Sequence, residues 1–206
     1  MPPRQPQQHP LTRLIAAISL MTCLTLTMAL PPKAEAQSTT ANAPQVQVKG
    51  ASFARTIEGD RRYDMLGHGL FTYMVWDAYA GAYYQAAGFP RPAPLSDVPR
   101  QLVLHYFHAI DAEDFAEATT RTVREQVNEV SFASVRSELS RLTDSYRDVQ
   151  PGDRYALRWS GEQLTLSLNG TPLFQSPNLE LAIAMFAIWL GSDPLDDGFR
   201  DALLGR

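Results

Sequence analysis

Residues 146–205 read YRDVQPGDRYALRWSGEQLTLSLNGTPLFQSPNLELAIAMFAIWLGSDPLDDGFRDALLG, and the change of period along this stretch decides the fold class. Tyr155, Leu157 and Trp159 recur at every second position, Ser160-Gly161-Glu162 marks a turn, and Leu164, Leu166 and Leu168 alternate up to Asn169-Gly170. A period of two bounded by tight turns reads as a strand meander. The period then lengthens: Leu179, Ile183, Phe186 and Leu190 recur at helical spacing, and Gly191 is expected to end that helix in a left-handed conformation. Ser192 is expected to cap a second short helix, with Pro194 in its first turn and Gly205 at its end. A meander followed by two helices puts helices on one face of a sheet.

Upstream, Gly88–Pro99 carries Pro90, Pro92, Pro94 and Pro99 and reads as a loop between two strands. The strand after it, Gln101–Ile110, is rich in β-branched and aromatic residues. In the region before it, Arg61–Tyr84, the set Phe71, Tyr73, Val75 and Asp77 alternates with Thr72, Met74, Trp76 and Ala78. Both sets are largely apolar, which predicts a strand covered on both faces. Asp111 is placed to cap a helix running from Ala112 towards Asn128. A further helix is expected over about 132–147, with Val135, Leu139, Leu142 and Tyr146 on one stripe and Pro151-Gly152 beyond its end. No repeat or domain break interrupts this order, so the architecture is α+β: a largely antiparallel sheet covered on one face by helices.

The N-terminus has a different composition. Residues 1–36 combine a polar start bearing Arg4 and Arg13, an apolar run from Leu14 to Leu30, and Ala34-Glu35-Ala36 before Gln37. This is the pattern of a secretory signal, and it places the protein in the periplasm or outside the cell. The alternative is an uncleaved membrane anchor. Residues 37–45, beginning QSTTANAP, suit a flexible leader, and residues 46–206 form the folded domain. Loss of Arg4, Arg13, Lys33 and Glu35 with the signal takes 18 basic and 22 acidic residues to 15 and 21, a net charge of −6. An acidic exported domain without a basic patch argues against nucleic acid as a partner. Cys23 is the only cysteine, so the domain has neither a disulfide nor a thiolate site.

Three strings in the quoted stretch, PGDRYAL, TLSLNGTPL and FAIWLGSDPLDDGFRDALLG, resemble in order the end of bacterial chalcone isomerase-like proteins. The resemblance extends through Arg100–Tyr106 and Asp111–Phe115 to Gly67-His68-Gly69-Leu70, and so covers residues 46–205. It implies the open-faced β-sandwich of chalcone isomerases. In those enzymes an arginine that helps polarise the substrate falls where this chain has Phe71, and a threonine falls near Ala78. A phenyl ring offers no donor to an oxyanion, and one missing donor costs about a hundredfold in rate or more. The fold is therefore expected to be kept and the isomerase chemistry lost.

Gly67-His68-Gly69 draws attention because two glycines let a backbone bend or a ligand approach closely. It lacks the third glycine and the lysine of a phosphate loop. His68, Gly69, Phe71, Tyr79 and Tyr83 are the expected ligand-binding residues, with no catalytic residue, metal or cofactor. His105 and His108 are too poorly related along a strand to chelate, and Asp193, Asp196 and Asp197 suit helix capping better than a calcium loop. Phe186, Trp189 and Leu190 read as a core stripe. The first reading is an exported, non-catalytic binder of an apolar or aromatic small molecule, fatty-acid-like or flavonoid-like, without stable membrane insertion once the signal is cleaved. A chalcone–flavanone type isomerase is the second, and an envelope interaction protein with a vestigial cleft the third. The oligomeric state is not legible.

Overall fold

The strand order follows the chain with hardly a break. The computed structural model describes residues 44–206; the expected signal 1–36 and leader residues 37–43 lie outside them. β1 (Gln45–Val48) and β2 (Ala51–Ala54) form a hairpin, and β3 (Thr56–Ile57), β4 (Tyr63–Tyr73), β5 (Trp76–Ala86) and β6 (Arg100–Tyr106) follow. Two helices, α1 (Ala112–Gln126) and α2 (Glu129–Thr143), separate these from β7 (Arg154–Trp159), β8 (Leu164–Leu168) and β9 (Thr171–Ser176). α3 (Leu179–Leu190) and α4 (Asp197–Leu203) end the chain. β3 to β9 make one antiparallel sheet in sequence order, so each strand lies beside its neighbour in the chain. The final meander forms as expected, with Asn169 and Gly170 both at positive φ (50° and 83°) in the β8–β9 turn.

β5 shows how period two divides the core. Tyr79 and Tyr83 enter the large apolar cluster on the helix side, whereas Ala80, Ala82, Tyr84 and Ala86 enter a second cluster with Val46, Ala51 and Phe53 of the β1–β2 hairpin. The sheet is thus covered by helices on one face and, over part of the other, by that hairpin. The rest of the outer face is polar and solvated, with Gln101, Arg158, Thr165 and Gln175 around a shallow depression. Both clusters lie in a single compact unit of the described residues.

The expected strand through Arg61–Tyr84 divides in two. Tyr73 pairs with Trp76, and the chain reverses at Met74-Val75 without glycine, asparagine or proline. Met74 sits at φ 54°, a left-handed conformation that costs an L-residue about 1–2 kcal/mol. Nothing in the string TYMVW signals this turn, so alternation alone runs straight through it.

Helix ends depart from expectation where another side chain is better placed. Asp111 holds the N-cap position of α1 as expected, but its side chain makes no capping hydrogen bond; the Asp148 carboxylate accepts from the Ala112 N–H at 2.9 Å instead. α2 starts at Glu129, earlier than expected, because Asn128 Oδ1 accepts from the Ser131 N–H at 2.9 Å. Gly191 follows α3 at φ −77°, so it is not left-handed; a Cβ there would lie 2.7 Å from the Ala187 carbonyl oxygen. α4 is capped by Asp196, whose Oδ1 accepts from the Phe199 N–H at 2.6 Å, leaving Ser192 and Pro194 outside the helix.

Candidate functional site: an aromatic cleft between sheet and helices

The glycines that looked like a ligand approach are used to seat α4. A Cβ on Gly67 would lie 2.6 Å from the Leu203 oxygen and 2.7 Å from the Gly205 nitrogen, and closer still to the Ala202 oxygen. One on Gly69 would stand 2.9 Å from Ala202 Cβ and 3.2 Å from the Phe199 ring. His68 is exposed and pairs with Ala82, a residue of the cluster on the side away from the helices. His68 and Gly69 therefore lie off the cleft described next, because strand alternation turns one outward and helix packing fills the space above the other.

α4 in turn brings Phe199 against Phe71 and Tyr79, at centroid distances of 5.8 and 5.6 Å. Phe71 stacks on Tyr79 at 4.7 Å, and the aromatic run continues through Tyr106 (5.4 Å from Tyr79) to Phe115 of α1 (5.3 Å from Tyr106). Tyr146 and Tyr155 extend it, each within 5.6 Å of Phe115. Leu104, Leu157 and Leu166 of the sheet and Ile188 and Trp189 of α3 complete the walls of a cleft of about 350 Å³. That lies at the small end of the roughly 300–1,000 Å³ of small-molecule sites.

Several polar atoms of this lining have hydrogen-bond partners. The Trp189 indole N–H donates to the Tyr79 hydroxyl at 3.0 Å, Tyr146 and Thr119 hydroxyls are 3.0 Å apart, and the Tyr155 hydroxyl donates to the Arg147 carbonyl at 2.9 Å. Burial pushes the Tyr79, Tyr106 and Tyr146 phenols up, so they remain neutral at physiological pH. Charge on the lining comes from Asp114 and Arg121, both on exposed turns of α1. At the Phe71 position there is a stacked ring and no cation.

Tyr83 is fully buried on the same face as Tyr79 but outside the cleft wall. It adjoins Arg100, a wholly buried guanidinium whose Nη1 donates to the Ser96 carbonyl and, at 2.9 Å, to that of Val98. The guanidinium lies 4.4 Å from the Phe186 ring centre, and burial pulls its pKa down to about 10. Arg100 Nε, Arg100 Nη2 and the Tyr83 hydroxyl have no hydrogen-bond partner among the described residues.

Trp189, read as core, is a partly buried wall of the cleft. Tyr106, Phe115, Tyr146 and Tyr155 were missed as site residues. Each lies on an apolar stripe recognisable in the sequence, but periodicity does not distinguish a stripe that meets another side chain from one that borders a gap. The histidines are placed apart: His105 Nδ1 accepts from Arg154 Nε at 3.2 Å, while His108 lies edge-on to Trp76.

A seven-stranded antiparallel meander with four helices on one face and an aromatic cleft between the layers is the architecture of the chalcone isomerase fold. The chain belongs to the chalcone isomerase-like family, whose model matches residues 32–205. The crystal structure of a fatty-acid binding protein of Arabidopsis thaliana has the same fold, with a TM-score of 0.64 at 17% identity, over 79% of this chain and 96% of that one. No curated protein matches the sequence. No helix among the described residues is long and apolar enough to cross a membrane.

Proposed function

We propose that this protein is a non-catalytic carrier of a small apolar molecule of the fatty-acid type, bound in the aromatic cleft. The observation that supports this most is the lining itself: a ring-walled space whose buried phenols, Tyr79, Tyr106 and Tyr146, are neutral, with its charges at the exposed rim. Apolar burial drives binding to such a surface, and few polar groups are available to orient a reacting substrate. The likeness in fold to a fatty-acid binding protein agrees with this reading.

Chalcone cyclisation makes different demands. A phenolate attacks an enone within one molecule, and charge grows on the enone oxygen as the ring closes. Stabilising that charge takes donors aimed into the cleft, and the position of the family's arginine holds Phe71, packed face to face on Tyr79. The expected result with a 2′-hydroxychalcone is an absorbance decay no faster than the spontaneous reaction in buffer. Turnover well above that background would establish an isomerase and end the non-catalytic reading.

We also infer export, from the Leu14–Leu30 run and the Ala34-Glu35-Ala36 site. Expressed in a bacterium, the periplasmic product should begin at Gln37 by N-terminal sequencing. A full-length product held in the membrane fraction would instead mean an anchor.

A further inference from the structure

We propose that the tip of the β4–β5 hairpin docks on a lipid bilayer, and that the cleft takes up or releases its ligand there. The docking half stands on the tip alone; the exchange half rests on the ligand-binding reading above.

Tyr73, Met74, Val75 and Trp76 are 63%, 83%, 84% and 63% exposed, a run of four large apolar side chains at one turn. Such a cluster is unusual on a surface that has only water to meet. The turn gains nothing locally from this composition, since Met74 occupies a left-handed conformation that glycine or asparagine would adopt more easily. The arrangement is that of an interfacial anchor: methionine and valine at the apex, with tyrosine and tryptophan, amphipathic rings suited to the headgroup level, on either side.

Charge fits the same occupant. From Met65 to Trp76 there is no Asp, Glu, Lys or Arg. The first charge beyond the tip, Asp77, is paired with Lys49 and accepts from the Thr72 hydroxyl at 2.8 Å. The tip can therefore enter a bilayer without desolvating an unpaired ion, and neutrality is the complementarity that a bilayer asks for.

The tip is also continuous with the cleft. Tyr73 belongs to both, and Leu195, 47% exposed, forms another apolar stretch of the rim. An apolar molecule dissolved in a bilayer could thus move from lipid past Tyr73 into the cleft without crossing water.

The test uses the chain from Thr39 onward, which excludes the Leu14–Leu30 run and contains the whole sheet and both apolar clusters. This chain should float with phosphatidylcholine vesicles. A Met74→Asp, Val75→Asp double variant should lose about tenfold or more of that partition, since charge is strongly disfavoured in lipid. It should keep its melting temperature and its affinity for a fluorescent fatty acid in vesicle-free solution, yet accept that probe from vesicles more slowly. Failure of the unaltered chain to float, or equal flotation of the variant, would overturn the docking proposal. So would a concentration-dependent dimer, abolished by the same variant, in place of flotation; the tip would then belong to a second copy. Absence of saturable fatty-acid binding without vesicles would overturn the exchange half and the ligand-binding reading, while leaving the flotation result to decide docking by itself.

Discussion

Gly67→Ala is expected to lower the stability of the fold by about 3 kcal/mol, read as a shift in the urea unfolding midpoint. The new methyl group would point at the last turn of α4, less than 3 Å from backbone atoms of Ala202, Leu203 and Gly205. None of these is the free end of a side chain that could swing away. The close approach is reciprocal, because a Cβ on Gly205 would lie 2.7 Å from the Leu66 oxygen. α4 must therefore lift from the sheet, taking with it Phe199, which packs on Phe71 and Tyr79 at the cleft. His68→Ala, one residue on and exposed, should change stability by less than about 0.5 kcal/mol. A loss below about 1 kcal/mol for Gly67→Ala would mean that α4 does not rest on β4 here.

Phe71→Asp is expected to weaken fatty-acid binding by about a hundredfold while leaving the protein folded. Phe71 lines the cleft and is only partly buried, so the core does not depend on it as it does on Tyr83 or Leu104. The substitution removes the ring stacked on Tyr79 and puts a carboxylate among neutral phenols, where the lining offers no buried cation to pair with it. Desolvating an unpaired charge as the ligand closes over it costs about 2–3 kcal/mol or more, which is the hundredfold. A carboxylate on the ligand would add repulsion. Unchanged affinity, with circular dichroism showing the native fold, would place the ligand elsewhere.

Much of this was legible in the sequence, and the reasons it stopped being legible are local. The β7–β9 meander and α3 could be read because alternation, turn residues and helical period agree with one another. The β4–β5 hairpin could not, since its Met74-Val75 turn contains none of the glycine, asparagine or proline that marks a turn. Phe71 was identified through the family's arginine position and Tyr79 as a neighbouring aromatic surface, and both line the cleft, whereas Ala78, near the family's threonine position, does not. Gly67 and Gly69 stood out correctly as places of close approach, but a glycine does not reveal whether a ligand or a helix is what comes near. The helix that does so lies more than 120 residues further along the chain. Arg100 appeared only in the string that carries the family resemblance, between the proline-rich loop and the strand. Its burial depends on the loop carbonyls of Ser96 and Val98 folding back on it, a contact without periodic signature.

We propose binding of a fatty-acid-like molecule in the aromatic cleft. It is tested most directly by titrating the protein with a fluorescent fatty acid and displacing the probe with an unlabelled one. Saturation at one probe per chain, full displacement, and loss of both in Phe71→Asp are the expected results. A native protein that shows no saturable binding, or binds the probe only in proportion to its concentration, would contradict the proposal.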